Sequence, residues 1–359
     1  MTNATNRMLV FTGSYADTTG SGLYVYQFDE EKEQLTLLHE YGGLKNPTFL
    51  NVDLQNNRLY AITEGVSESG AKTGDAAAYD IDPVSGALTM LNRGQTVDST
   101  TCHIARDKDS KHIIVTSYHG GMVGLVGLTE DGQIGERLDS KQHDGKGTHP
   151  ERQDRPHPHS STFSPDGRFV YVQDLGLDVI VQYAIDNDKL VRIGETVLHP
   201  GAGPRHMTFH PNAPYTFVIN EVDSTVTVFK HDAQSGSLTA VQTISTLPPE
   251  GFDGENTCAE ITVSRDGRFV YGSNRGHDSI VVYSFDEAAG TLAVLQIVSV
   301  EGRHPRHFAL TPSGNHLLAA NKDSNNITVF RVNRDTGAIA YTGSSAALSM
   351  PVCVLPCYY

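Results

Sequence analysis

The residues with the clearest chemistry lie in the stretch Gly201-Ala-Gly-Pro-Arg-His-Met-Thr-Phe-His-Pro211 and in the run Ile219-Asn-Glu-Val222 that follows it. Arg205 and His206 open a strand-like segment, the chain turns at His210-Pro-Asn-Ala-Pro214, and it returns through residues 215–219. Glu221 therefore comes back to the end where Arg205 began. A guanidinium there binds an anion through paired N–H groups, and a carboxylate beside His and Arg is what a general base needs. The competing reading is that Glu221 only neutralises Arg205.

What must position these residues is a repeat. Residues 8–14, 22–28 and 34–39 are three short strand-like segments, and residues 46–52, 58–63, 76–81 and 87–91 repeat that grammar with a fourth strand in front. One signature is the turn after the first strand, as in Ser164-Pro-Asp-Gly-Arg-Phe169, Ser264-Arg-Asp-Gly-Arg-Phe269 and Thr311-Pro-Ser-Gly-Asn315. Pro presets φ at such a turn and Gly supplies positive φ. The other is an outer hairpin: Asp82-Pro-Val-Ser-Gly-Ala-Leu88, Asp232-Ala-Gln-Ser-Gly-Ser-Leu238, Asp286-Glu-Ala-Ala-Gly-Thr-Leu292 and Asn333-Arg-Asp-Thr-Gly-Ala-Ile339, with looser copies near Asp29, Glu130 and Asp186. That makes seven copies.

Four short strands in a period of roughly 45 to 55 residues specify a β-propeller blade. The expected fold is all-β, a seven-bladed propeller of four-stranded antiparallel blades filling residues 1–359 as one domain. The opening unit lacks a first strand, and residues 350–355 form a first strand with nothing after it. The C-terminal strand should join the N-terminal blade and close the ring.

Composition narrows the class. The chain is 38% hydrophobic and 19% charged, ample for a large core, and its net charge of −15 disfavours nucleic-acid and anionic-membrane partners. Arg and His gathered in so acidic a chain suit a small anion. Cys102, Cys258, Cys353 and Cys357 form no zinc-type pair of pairs, and neither an apolar leader nor a membrane-length apolar run is present, so a reducing cytoplasm is the expected setting.

In a propeller the first strands line the central channel, and the loops before them emerge on the face reached by the ends of the second strands. Equivalent positions on the first strands are Thr48, Cys102, His159, Arg205, Ala259, Arg306 and Val352. Opposite them come Glu64, Tyr118-His119, Asp174, Glu221, Asn274-Arg275 and Asn321-Lys322. Repetition does not account for such differences at one position, so they mark a site. Two long polar loops, residues 143–159 and 247–256, precede first strands and are further places for site residues.

The Gly-Ala-Gly-Pro-Arg-His-Met-Thr-Phe-His-Pro run, the Asn-Glu after its return strand, His159-Ser160 before Ser-Pro-Asp-Gly, and Asn274-Arg275 resemble the cytosolic seven-bladed 6-phosphogluconolactonases. That family is itself similar to the fungal 3-carboxy-cis,cis-muconate lactonizing enzymes. The resemblance places the family's channel histidine on His159, its anion-binding arginines on Arg205 and Arg275, and its acidic residue on Glu221. It implies a cofactor-free lactonase without a metal, acting on an anionic sugar lactone. Water, one base and cations around the developing oxyanion suffice for that reaction.

On this reading His159 or Glu221 is the base, and Arg205 and Arg275 hold the oxyanion and carboxyl end. Arg306, Lys322 or His103 takes the phosphate. His206 joins the binding set, and His157 competes with His159. The alternatives are a cycloisomerase or lactonase for a carboxylated muconate-type acid and a non-catalytic propeller that binds proteins. A Gly-x-Ser-x-Gly elbow and phosphate-loop or dinucleotide fingerprints are absent.

Overall fold

The structure, a computed structural model, describes residues 7–359. Its strands form seven four-stranded antiparallel sheets, with no helix among the described residues. Blade 1 combines Met8–Ser14, Leu23–Asp29 and Gln34–Tyr41 with the C-terminal strand Pro351–Tyr358. Blades 2 to 7 follow as residues 50–97, 103–142, 158–197, 204–245, 257–299 and 305–347. Pro351–Tyr358 pairs with Met8–Ser14, which is the closure the unmatched terminal strands predict. Each of the seven first strands also touches the first strands of its two neighbours, so they ring a central channel.

Position in the blade sets the sequence pattern. Middle strands have a neighbouring blade on both faces and read as apolar runs; His316–Asn321 is buried throughout. Outer strands alternate, as Ile339–Ala347 does. Core clusters lie between blades: Phe217 and Ile219 of blade 5 pack with Val270 and Tyr283 of blade 6. The outer hairpin locks to the preceding blade, since the Tyr171 hydroxyl donates to the Gly236 carbonyl at 2.7 Å and Tyr271 to Gly337 at 2.9 Å.

Two features differ from the sequence expectation. The first strand of blade 2 begins at Leu50 rather than Asn46. Asn46 is held at φ 51°, with its side chain accepting from the Ala16 amide at 3.2 Å and donating to Glu64 Oε1 at 2.6 Å, so Asn46 and Thr48 line the pocket instead of extending the ladder. The second feature is a β-bulge near the start of five first strands. Pairing skips His159, Arg205, Arg306 and Val352, and it skips both Ala259 and Glu260 opposite Ser273. A bulge adds one residue and re-aims its side chain.

The bulges leave carbonyls off the ladder, and neighbouring blades satisfy them. Thr116 Oγ1 donates to the His159 carbonyl at 3.0 Å, Ser160 Oγ to Arg205 at 2.6 Å, and Arg205 Nη1 to Ala259 at 2.6 Å. Removing the closing strand tests the ring. A chain ending at residue 350 exposes the Met8–Ser14 edge and strips Val352, Cys353 and Val354 from the core. It is expected to lose the cooperative urea transition of the full chain; a midpoint within about 0.5 M of the full chain would contradict this.

Candidate active site

A cavity of about 300 Å³ opens at one mouth of the channel, lined by His159, Glu221, Arg275 and Arg306 together with Arg152, Tyr15, Glu64, Tyr118 and Cys102. That is within the size range of small-molecule sites. The turn at Gly201-Ala-Gly203 registers two of the central residues. The Glu221 amide donates to the Gly203 carbonyl at 2.7 Å and Val222 to Ala202 at 3.1 Å, while the Gly203 amide donates to Asp178 Oδ1 at 2.8 Å. Gly203 sits at φ 66°, and a Cβ there would lie 2.4 Å from the Val222 side chain. Glycine is needed for this approach, which sets Arg205 and Glu221 face to face.

Glu221 is 3% exposed and Arg205 2%. Glu221 Oε2 meets Arg205 Nε at 2.8 Å and Arg275 Nη2 at 2.7 Å, and Oε1 accepts from Arg152. Burial opposes ionisation of this carboxyl, but Arg275, Arg205 and Arg152 outweigh it and hold it well below its ordinary 4.5. A carboxylate so placed is a weak proton acceptor and a strong anchor for cations. Burial, with Arg275 and Arg306 nearby, lowers Arg205 to about 9, still charged at neutral pH.

Arg152 comes from the long loop between blades 3 and 4. His143 Nδ1 bonds Asp174 Oδ2 at 2.6 Å, and the His157 amide donates to Asp174 Oδ1 at 2.7 Å, so one buried carboxylate ties both ends of the loop. Between them buried Gln153 donates to the Leu175 carbonyl at 2.9 Å and to Asp178 Oδ1 at 2.6 Å, and accepts from the His149 amide at 2.9 Å. Its neighbour Arg152 is thereby delivered to Glu221.

His159 is fixed through its backbone: Thr116 Oγ1 and Cys102 Sγ both donate to its carbonyl, the thiol at 3.2 Å. Burial first, then Arg205, His206, Arg306 and Arg275, hold its imidazole well below the ordinary 6.5, so the ring is neutral at pH 7. Burial raises the Cys102 thiol, which removes it as a nucleophile. Arg306 has no ion pair among the described residues and lies 6.0 Å from the centre of the Tyr15 ring.

The sequence-predicted residues divide into layers. His159, Glu221, Arg275 and Arg306 meet in the wall as expected, and Arg205 lies one layer behind, spent on Glu221 and the Ala259 carbonyl. His103 and His206 are not in the wall. They sit deeper in the channel, rings 5.4 Å apart; His206 follows the bulged Arg205 and so points below the mouth. His157 stacks on Tyr118 at 4.1 Å and is occupied by the Tyr118 carbonyl and Asp154, so it does not compete with His159. Lys322 stands outside the wall, 3.0 Å from Asp323.

Arg152 is the charged wall residue that sequence reasoning did not single out; Tyr15, Thr100 and Thr101 are uncharged ones. The 143–159 loop was its only signal, and the loop's sequence does not say which of its charges turns inward. The 247–256 loop contributes nothing to the wall. Replacing Glu221 by Gln is expected to cost about 3–5 kcal/mol of stability, because buried guanidiniums lose their counter-charge. Urea unfolding measures it, and a loss under about 1 kcal/mol would contradict the anchoring role. Glu221's folded value lies below its unfolded one, so its contribution is complete above pH 4.5 and is lost as pH falls below that.

The geometry can be set beside known proteins. The family model "Lactonase, 7-bladed beta-propeller" matches residues 9–356. The 6-phosphogluconolactonase of Bacillus subtilis is 34% identical over 344 residues, covering 96% of this chain and 97% of that protein. That of Formosa agariphila is 32% identical, over 92% and 94%. The solved periplasmic gluconolactonase of Pseudomonas aeruginosa superposes with a TM-score of 0.90 at 28% identity, covering 98% of this chain and 99% of that one. Chain and cavity together therefore place this protein in the seven-bladed β-propeller lactonase family.

Proposed function

We propose that the protein hydrolyses 6-phosphogluconolactone to 6-phosphogluconate, with His159 as base. The observation that carries this reading is one cavity walled by His159 and three guanidiniums, Arg152, Arg275 and Arg306, in a chain of net charge −15. Two relatives bear the name 6-phosphogluconolactonase over nearly their whole length. A cytoplasmic setting is part of the proposal, supported by four free thiols, although the P. aeruginosa relative is named periplasmic.

His159 removes a proton from a water whose oxygen attacks the lactone carbonyl carbon. Negative charge develops on the carbonyl oxygen, which Arg275 receives; its Nε is buried without a partner, and Glu221 and the Cys258 carbonyl fix its Nη2. The tetrahedral intermediate collapses, the ring C–O bond breaks, and protonated His159 returns its proton to the leaving ring oxygen. The carboxylic acid formed then ionises. Arg306 binds the phosphate, and Arg205 acts through Glu221 as a positioning residue. Glu221 is assigned the anchor rather than the base, because three cations occupy its lone pairs.

His159→Gln should lower kcat by about 10²–10⁴-fold and Arg275→Ala by about 10²–10³-fold, read as ring opening above the spontaneous rate. Less than a tenfold loss at His159 would move the base elsewhere. The acid limb of kcat/KM should fall well below pH 6.5, because burial first, and then the cations around His159, disfavour its protonated form. A limb at or above pH 6.5 would contradict this assignment.

A further inference from the structure

Beneath the wall lies a second, buried cluster of His206, His307 and Glu260, with His103 and Phe49 beside them lining a separate cavity. Two buried nitrogens there or next to it have no hydrogen-bond partner: His159 Nδ1 and His206 Nε2. Buried polar groups are rarely left so. Among the described residues no set of three or more His, Cys, Asp or Glu is grouped to hold a metal ion.

The hydrogen positions follow from the partners. His307 Nδ1 accepts from the Val354 amide at 3.4 Å, so its hydrogen is on Nε2, 3.4 Å from Glu260 Oε2. Glu260 Oε1 accepts from the Ile261 amide at 3.0 Å and lies 3.1 Å from His206 Nδ1. Glu260 thus accepts from the Ile261 amide and faces the His307 Nε2–H, which suits an ionised carboxylate that would also accept from His206 Nδ1, though burial pushes its carboxyl up against the pull of His307 and Arg205. A hydrogen on His206 Nδ1 leaves a lone pair on Nε2. The ring centres of His206 and His159 are 5.2 Å apart, and no direct hydrogen bond joins His206 Nε2 to His159 Nδ1.

We propose that Glu260 and His206 are positioning residues for the reaction, acting through one bridging water to fix His159 with its hydrogen on Nδ1. Every link then has one polarity. The carboxylate accepts from His206 Nδ1–H, His206 Nε2 accepts from the water, and the water accepts from His159 Nδ1–H. His159 Nε2 is left as a lone pair toward the cavity, the form a general base requires. No proton leaves the chain at any link; it sets a tautomer.

This inference rests on the reading of His159 as base, and its test separates the two. Nitrogen-15 NMR of the wild-type protein reads the His159 tautomer without reference to activity. The expected result is a protonated Nδ1 and an unprotonated Nε2, kept in Glu260→Gln, whose amide oxygen still accepts from His206. In Glu260→Leu the tautomers should mix and kcat should fall at least about tenfold with KM little changed. A wild-type His159 carrying its hydrogen on Nε2 overturns the inference, even if Glu260→Leu does not fold. So does an unmoved tautomer in a folded Glu260→Leu. Full activity in His159→Gln would instead overturn the base assignment and leave the tautomer result standing.

Discussion

Four guanidiniums crowd the upper channel of a chain that carries a net charge of −15, and the carboxylate of Glu221 is what lets Arg205 and Arg275 stay buried there. Neither side of that cluster is tolerable alone. A buried carboxylate without cations would be driven neutral, and buried guanidiniums without Glu221 would repel one another. Held together they leave an excess of positive charge, because one carboxylate faces Arg152, Arg205 and Arg275 while Arg306 has no anionic partner among the described residues. That excess suits an anionic ligand, and burial together with the surrounding cations keeps the neighbouring imidazole of His159 uncharged.

The propeller supplies the place, and the bulges supply the differences. Seven first strands of similar sequence would present similar side chains to the channel; one extra residue in each of the bulged strands of blades 4, 5 and 7 turns His159, Arg205 and Arg306 toward the mouth and the residues after them downward. Two layers follow from one local irregularity. The upper layer walls the cavity, and in the lower one His206 and Glu260 stand beneath His159. The carbonyls freed by the bulges are taken by side chains of adjacent blades, so the site is stiffened by the same contacts that hold the ring together.

Much of this was legible in the sequence. The Ser-Pro-Asp-Gly turns and the Asp-to-Gly hairpins mark blades because φ requirements recur with the repeat, and the unmatched terminal strands point to closure at Met8–Ser14. Differentiation at equivalent positions located His159, Glu221, Arg275 and Arg306. What it did not locate depends on long-range contacts. Pro204-Arg205-His206 does not say that Arg205 is consumed by Glu221 or that His206 drops a layer, since a bulge has no signature in those residue types. Nor does the loop reveal that Gln153 pins Arg152 inward, because its partners Leu175 and Asp178 belong to the next blade. Lys322 carries the right charge at the right register and is diverted by Asp323, one residue away.

The account stands on the pocket's surplus of positive charge, and the most direct measurement compares enzyme-catalysed ring opening of 6-phosphogluconolactone with that of the unphosphorylated gluconolactone. Charge-assisted bonds from Arg306 to the phosphate predict a kcat/KM at least about tenfold higher for the phosphorylated ring. Equal rates, or a preference for the neutral lactone, would contradict it.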